Sequence, residues 1–247
     1  MKLDFPYPTI RAVIPAGGVG SRAAAMVNGQ AIPKQYRLIK GQSMLWHTVQ
    51  ALLAHPAIES VHIGVAADDD WILQQILPEH CYIHRTGGAT RADTVLNTIS
   101  TLPNEGWVLV HDAARPGLPL DALNRLITTC LSMDTGGILA LPVGDTVKRQ
   151  QRLSEKPLSD MTTNTTAMYI DETVSRDGLW LAQTPQLFKK ELLEQALRVA
   201  LSHGFAITDE ASAIEFVGEK SLLIKGHWRN LKVTWAEDFE LVESFLT

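Results

Sequence analysis

The sequence predicts an α/β fold in which a mostly parallel sheet carries helices on both faces. Two observations support this. Apolar runs of strand length alternate with helical patterns through most of the 247 residues, and the distinctive polar residues fall where those runs end. Alternation of this kind implies right-handed crossovers between parallel strands. Ligands of such sheets bind beyond the carboxyl ends of the strands.

Ile10–Pro15, Val61–Ala66, Tyr82–His84, Trp107–His111 and Gly137–Val143 are expected as buried strands. Each is short, often β-branched, and bounded by Gly, Pro or Asp. Ser43–Ala54 is expected as a helix with a Ser N-cap, ending before His55-Pro56 because proline cannot continue it. Arg91–Leu102, Leu120–Leu131 and Lys189–His203 carry apolar residues at three- and four-residue spacing, and Gly204 follows the last of them as a stop signal. From Asp145 to Ser175 the chain turns polar, rich in Lys, Arg, Ser and Thr, with no core-facing period. A loop that long in a compact domain is usually functional or projecting. The expectation is one domain over 1–247, with 145–175 a protruding arm that reaches a partner subunit. No internal repeat or low-complexity tract interrupts it.

Composition narrows the function. Hydrophobic residues at 45% and charged residues at 20% are ordinary for a soluble globular protein. No apolar stretch approaches the roughly 18 residues that cross a bilayer, and Met1–Pro8 lacks the apolar region of a secretory signal. A cytoplasmic protein with no membrane partner is therefore expected. Cys81 and Cys130 offer neither a disulfide framework nor metal-ligand spacing, and read as buried free thiols. A net charge of −5 argues against a nucleic-acid surface. It leaves room for a small polyanion, which needs only a few cations focused in a cleft.

Ile14-Pro15-Ala16-Gly17-Gly18-Val19-Gly20-Ser21-Arg22 directly follows the first strand. Glycines let the backbone turn sharply and come close to a ligand, and successive N–H groups form a concavity for phosphate oxygens. A Walker A loop would need Lys-Ser or Lys-Thr after its last glycine, which is absent. Gly18-Val19-Gly20-Ser21-Arg22-Ala23 matches a dinucleotide fingerprint. That motif also asks for an acidic residue about 20 positions on, closing the second strand, and the first acids after a second strand are Asp68–Asp70, much too late. Nucleotidyl transfer remains as the third reading. It uses the same loop and adds two flanking cations, Arg22 and the lysine of Pro33-Lys34-Gln35-Tyr36.

With those residues in place, the chain resembles the 2-C-methyl-D-erythritol 4-phosphate cytidylyltransferase family. Further segments resemble it in order over nearly the whole length: Gly87-Gly88-Ala89-Thr90-Arg91-Ala92-Asp93-Thr94, then Val110-His111-Asp112-Ala113-Ala114-Arg115-Pro116, then Gly144-Asp145-Thr146 and Arg176-Asp177-Gly178, and finally Thr208-Asp209-Glu210-Ala211-Ser212 and Asn230-Leu231-Lys232. The stretch between Arg22 and Lys34 departs from the pattern, being about five residues longer than the family's, but its Asn28-Gly29 turn dipeptide can absorb the length in a bulging loop.

The resemblance implies a Rossmann-like sheet of nucleotidyltransferase type and transfer of CMP from CTP to a sugar-alcohol phosphate. It implies Arg22, Lys34 and Lys232 as catalytic cations. Pro15, Ala16, Gly17, Gly18, Gly88, Thr94 and Asp112 would bind CTP, with the loop backbone reading cytosine. Asp112, Arg115, Thr146, Arg176 and Thr208 would bind the acceptor, with Thr146 and Arg176 supplied by the arm to the neighbouring subunit of a homodimer. Mg²⁺ would be held mainly by the triphosphate and water, with Asp112 the nearest carboxylate. Ribitol 5-phosphate is the alternative acceptor, and a non-catalytic nucleotide sensor is the alternative from another class, because fold alone does not give function.

Overall fold

A computed structural model of the protein describes residues 7–18, 25–27, 30–151, 158–160 and 165–246. The chain divides into two compact units, one built from Met1–Ala140 with Ala182–Thr247 and a smaller one, Leu141–Leu181.

The larger unit is organised by a seven-stranded sheet. Its strands are β1 (Ile10–Pro15), β2 (Ile58–Gly64), β3 (Cys81–His84), β4 (Trp107–Val110), β5 (Gly137–Pro142), β6 (Trp180–Lys189) and β7 (Leu222–Lys225), in the order β7-β5-β6-β4-β1-β2-β3. β1 lies parallel to β2 and β4, β2 to β3, and β5 to β7. β6 runs antiparallel to β4, pairing Gln186 with Val110. The fold class is therefore the expected one.

Side-chain alternation explains why both faces are covered. Ile10, Ala12 and Ile14 of β1 and Leu109 of β4 face one core, packed with helices α1 (Met44–Leu53) and α3 (Leu120–Ser132). Val13, Val108 and Val110 face the other, packed with α2 (Arg91–Ile99), α4 (Lys190–Ser202) and α5 (Glu210–Phe216). A strand buried on both faces reads as a continuous apolar run, which is why these strands are visible in the sequence. Local chemistry sets the helix ends. Ser43 caps α1 by accepting from Trp46 N, Thr90 and Asp93 form a reciprocal capping box on α2, and Gly204, at φ +67°, follows α4. The C-terminal helix α6 (Asp238–Phe245) packs through Phe239 and Val242 onto Ile39, Ala114 and Val233, beneath the loops described below.

Some boundaries move. The strand expected over Val61–Ala66 begins at Ile58 and ends at Gly64, because Ile58–Ser60 join the ladder with β1 across an irregularity at Ile10/Arg11. β4 stops at Val110 rather than His111, and β5 at Pro142 rather than Val143. The longer stretch before Lys34 contains two short strands, Ala25–Val27 and Gln30–Ile32, paired antiparallel, and the turn expected there falls on Asn28 and Gly29. Those two residues lie outside the described ones.

The segment read as irregular is an antiparallel ribbon. In the smaller unit Val147–Gln150 pairs with Ile170–Val174, and Leu158–Asp160 pairs with Thr165–Ala167. Lys148 Nζ donates to Thr173 Oγ1 at 2.7 Å, and Arg149 pairs with Glu172. Most side chains of the first pair are exposed, so neither face needs an apolar row, and the period of two that marks a half-buried strand is missing.

Candidate active site

Loops at the carboxyl ends of β1, β3 and β4 converge with Ala182–Gln186 of the antiparallel β6 and the segment before α6. The first runs from Pro15 to Gly18. Ala16 N donates to Gly64 O at 2.7 Å, and the buried Gln35 carboxamide donates to Ala16 O at 3.0 Å and Gly18 O at 3.2 Å. Gln35 sits in the short helix Lys34–Tyr36, anchored where the Tyr36 hydroxyl donates to Asp69 Oδ2 at 2.6 Å. A Cβ on Gly18 would meet nothing within 4 Å. Its missing side chain therefore leaves open space rather than relieving a clash. Lys34 Nζ reaches across to donate to Val233 O at 2.6 Å, beside Lys232. Arg22 lies outside the described residues.

The second loop needs its glycines for packing. A Cβ on Gly87 would stand 2.8 Å from Ala66 Cα, and one on Gly88 would stand 2.3 Å from Asp93 Cβ. The Thr94 hydroxyl, expected to face the nucleotide, lines a cavity with Gly17 and Gly18 and also works within the loop. It accepts from Gly88 N at 3.0 Å and donates to Thr90 O at 3.1 Å, so its part is to hold the backbone that lines the site.

At the end of β4, Asp112 is the centre of a charge cluster. Its Oδ1 accepts from Arg91 Nε at 3.0 Å, and its Oδ2 accepts from Lys232 Nζ at 3.0 Å and Arg115 Nε at 3.4 Å. Arg91 also forks onto Glu210 at 2.7 and 3.2 Å, and Arg115 Nη1 donates to Asn230 O at 2.7 Å. Burial alone would raise the Asp112 carboxyl, but Arg91, Lys232 and Arg115 overcome it and hold the group well below the usual carboxylate range. For Arg91, burial is likewise outweighed by Glu210 and Asp112, which keep the guanidinium firmly charged.

Two cavities flank this cluster and share Arg91, Asp112 and Lys232 in their walls. The first, of about 290 Å³, brings together Pro15, Ala16, Gly17, Gly18, Lys34, Gly88, Thr94, Asp112 and Lys232. The second, of about 240 Å³, brings Arg115 and Thr208 to Asp112 and Lys232, with Thr184 and Gln186 alongside. Thr208 stands just before Asp209, the N-cap of α5, so the capping pattern read in the sequence coexists with a place in the cavity wall. Thr146 and Arg176 line neither cavity. Both are exposed in the smaller unit, where Arg176 Nη1 donates to the Gly144 carbonyl.

Asp112 does not fit the metal-ligand role expected for it. Both of its oxygens already accept from cations, three of which surround it. A Mg²⁺ ion seeks unpaired anionic oxygens. Among the described residues no three His, Cys, Asp or Glu side chains gather where a metal ion could be held.

Sequence reasoning passed over Arg91, Gln35, Glu210 and Thr184. A signal did exist for Arg91: a cation in the first turn of a helix opposes the helix dipole and so needs another reason to be there. Glu210 and Thr184 become meaningful only through partners far along the chain.

The sequence profile of the 2-C-methyl-D-erythritol 4-phosphate cytidylyltransferase family matches residues 10–247. The chain is 49% identical over 240 residues to the protein of that name from Bordetella pertussis, covering 95% of this chain and 97% of that one. It is 45% identical to the one from Vibrio parahaemolyticus, covering 96% and 94%. A crystal structure of 4-diphosphocytidyl-2C-methyl-D-erythritol synthase superposes with a TM-score of 0.77 at 37% identity, covering 97% of this chain and 99% of that one.

Proposed function

The chain belongs to the 2-C-methyl-D-erythritol 4-phosphate cytidylyltransferase family, and from that premise we propose how its residues carry out the family's reaction. The enzyme transfers CMP from CTP to 2-C-methyl-D-erythritol 4-phosphate, giving 4-diphosphocytidyl-2-C-methyl-D-erythritol and pyrophosphate, a step in isoprenoid precursor synthesis by the methylerythritol phosphate route. The observation that carries the assignment of roles is the pair of cavities that share the Arg91–Asp112–Lys232 wall. Two polyanions lying in adjoining cavities would meet at that wall.

On this reading CTP occupies the first cavity, its base against the backbone of Ala16–Gly18 and Gly88, and the acceptor occupies the second, with Arg115 and Thr208 around its phosphate and hydroxyls. An oxygen of the acceptor phosphate attacks the α-phosphorus. The new P–O bond forms as the bond from the α-phosphorus to the bridging oxygen breaks, and pyrophosphate leaves with that electron pair. A phosphate monoester has its second pKa near 6 and is largely dianionic at neutral pH, so no general base is needed. The barrier lies in joining like charges, and positioning with fixed cations lowers it. Arg22, Lys34 and Lys232 supply those cations. Asp112 orients Lys232 and Arg115 rather than holding a metal. A divalent cation such as Mg²⁺ would be held by the triphosphate and water, where it would neutralise phosphate charge.

Thr146 and Arg176 are proposed to serve the acceptor bound by a neighbouring subunit of a homodimer. Exposed Met168, Tyr169, Ile170 and Leu181 in the smaller unit supply apolar surface suited to such a contact. The decisive experiment offers purified enzyme Mg²⁺, each of the four NTPs, and either methylerythritol phosphate or ribitol 5-phosphate, and measures pyrophosphate. Release with CTP and methylerythritol phosphate alone is expected; equal release with ribitol 5-phosphate would overturn the acceptor assignment. Arg176→Ala should raise the KM for the acceptor about tenfold or more while leaving that for CTP nearly unchanged, and an equal effect on both would remove Arg176 from the acceptor site.

A further inference from the structure

His111 lines neither cavity, is 0% exposed, and stands between β4 and Asp112. Both ring nitrogens are engaged. Nε2 lies 3.1 Å from the Arg115 carbonyl, which can only accept, so Nε2 carries the proton. Nδ1 then presents a lone pair 2.9 Å from Thr184 Oγ1, whose hydroxyl must donate to it. Thr184 Oγ1 in turn accepts from the Asp112 backbone N–H at 2.9 Å. The result is a chain of one direction, from Asp112 N–H through the Thr184 hydroxyl to the ring, and from the ring to the Arg115 carbonyl.

That chain grips both ends of a single turn, which Arg115 N closes by donating to Asp112 O at 3.1 Å. The two charged side chains of the turn are Asp112 and Arg115. The hub also extends to the segment bearing Lys232. Asn230 Nδ2 donates to Thr184 O at 2.7 Å, and Arg115 Nη1 donates to Asn230 O, two residues before Lys232. We infer that His111 is a positioning residue for the transfer step: through its two ring nitrogens it fixes the Asp112–Arg115 turn, and through that turn the cations that meet both phosphates. This rests on the cavity assignment above.

Burial agrees with a ring that stays neutral in this tautomer, pushing His111 down to about 4. A phenyl ring would fill the same space but leave the Thr184 hydroxyl proton without its acceptor and the Arg115 carbonyl without its ring donor in a place closed to water. The turn would then settle elsewhere. At distances where a 1 Å displacement costs about 10² in rate, turnover should respond before the fold does.

The test compares wild type, His111→Phe, His111→Asn and Lys232→Met with the double variant His111→Phe/Lys232→Met, in pyrophosphate release from CTP and methylerythritol phosphate. His111→Phe is expected to lower kcat by about 10²-fold with a far-ultraviolet spectrum like wild type. His111→Asn keeps an acceptor for Thr184 and should recover about tenfold of that loss. Because His111 acts through the turn that holds Lys232, its loss in the Lys232→Met background should be less than about threefold. Full multiplication of the two losses, or His111→Asn no better than His111→Phe, overturns the inference. If His111→Phe does not fold, His111→Asn and its cycle with Lys232→Met decide the same question. A wild-type enzyme that releases no pyrophosphate overturns the functional reading and this one together, whereas an active wild type matched by His111→Phe overturns only this one.

Discussion

Two polar clusters sit on the same sheet and answer burial in opposite ways. Around Asp112, three cations surround a carboxylate and keep it ionised despite its burial. Around His62, the partners are neutral or like-charged. His62 Nδ1 lies 2.9 Å from His84 Nε2, Ser60 Oγ lies 3.0 Å from His62 Nε2, and the Tyr82 ring stacks at 5.2 Å. Burial, then His84 and Arg11, pushes His62 down to about 4, and burial lowers His84 as well. His62 and Asp112 are both buried and both titrate abnormally. The Asp112 cluster opens onto two cavities, at the carboxyl end of a central strand, and neither is lined by His62 or His84. A shifted pKa therefore marks a functional site only where a ligand can reach it.

The sharpest way to break this contrast is through turnover. Lys34→Ala should lower kcat by about 10²–10³, as loss of one preorganised charge donor does elsewhere. The double substitution His62→Gln/His84→Gln should leave kcat within about twofold of wild type. A tenfold loss from the histidine pair, or near-normal turnover without Lys34, would erase the distinction.

Arg91 tests the charge cluster as structure. Arg91→Met strips a partner from Asp112 and both hydrogen bonds from Glu210, and should destabilise the fold by about 2–4 kcal/mol in urea titration. Adding Glu210→Gln should restore part of it, because the stranded charge is removed. If the double variant is less stable than the single one, the ion pair is not what holds these groups.

A smaller effect is expected at the first loop. Gln35→Leu leaves the Ala16 and Gly18 carbonyls without their donor, at a cost of about 1–2 kcal/mol, and should raise the KM for CTP more than that for the acceptor. Equal changes in both would detach Gln35 from the nucleotide.

The least effect, and the most diagnostic of sign, is in pH. His62 and His84 are neutral in the folded protein, and the unfolded chain binds protons first, near 6.5. The contribution of His62 is complete above about 6.5 and is lost as pH falls towards about 4, and that of His84 is lost in the same direction. Asp112 behaves differently: its contribution is present above the unfolded value near 3.9 and fades only as pH falls below it. His62→Gln should thus flatten the urea midpoint between pH 6.5 and 4.5, and a slope unchanged in that window would place the titration in other groups.

Much of this was legible without coordinates. The runs Ile10–Pro15 and Trp107–Val110 announce themselves because strands buried on both faces need no polar alternation. The loops after them draw notice because Gly, Asp and Arg appear abruptly where apolar residues stop. β6 escaped because Trp180–Gln186 mixes exposed and polar residues, of which Gln183, Thr184 and Gln186 are buried for hydrogen bonds rather than packing. The ribbon around 145–175 escaped because an element exposed on its faces carries no hydrophobic period.

By itself the sequence determined the parallel core and the two glycine-rich loops, since these follow from local backbone need, and its resemblance to the family singled out the cations Lys34, Arg115 and Lys232. Tertiary structure alone decided which groups meet. Asp112 and Lys232 are distant in the chain yet 3.0 Å apart, and Arg91 finds Glu210 across the same gap. It also decided that the Thr94 hydroxyl and the Asp112 carboxylate are engaged by protein partners. A side chain's chemistry is written in its residue type, but whether its lone pairs remain for a ligand depends on neighbours that only folding supplies.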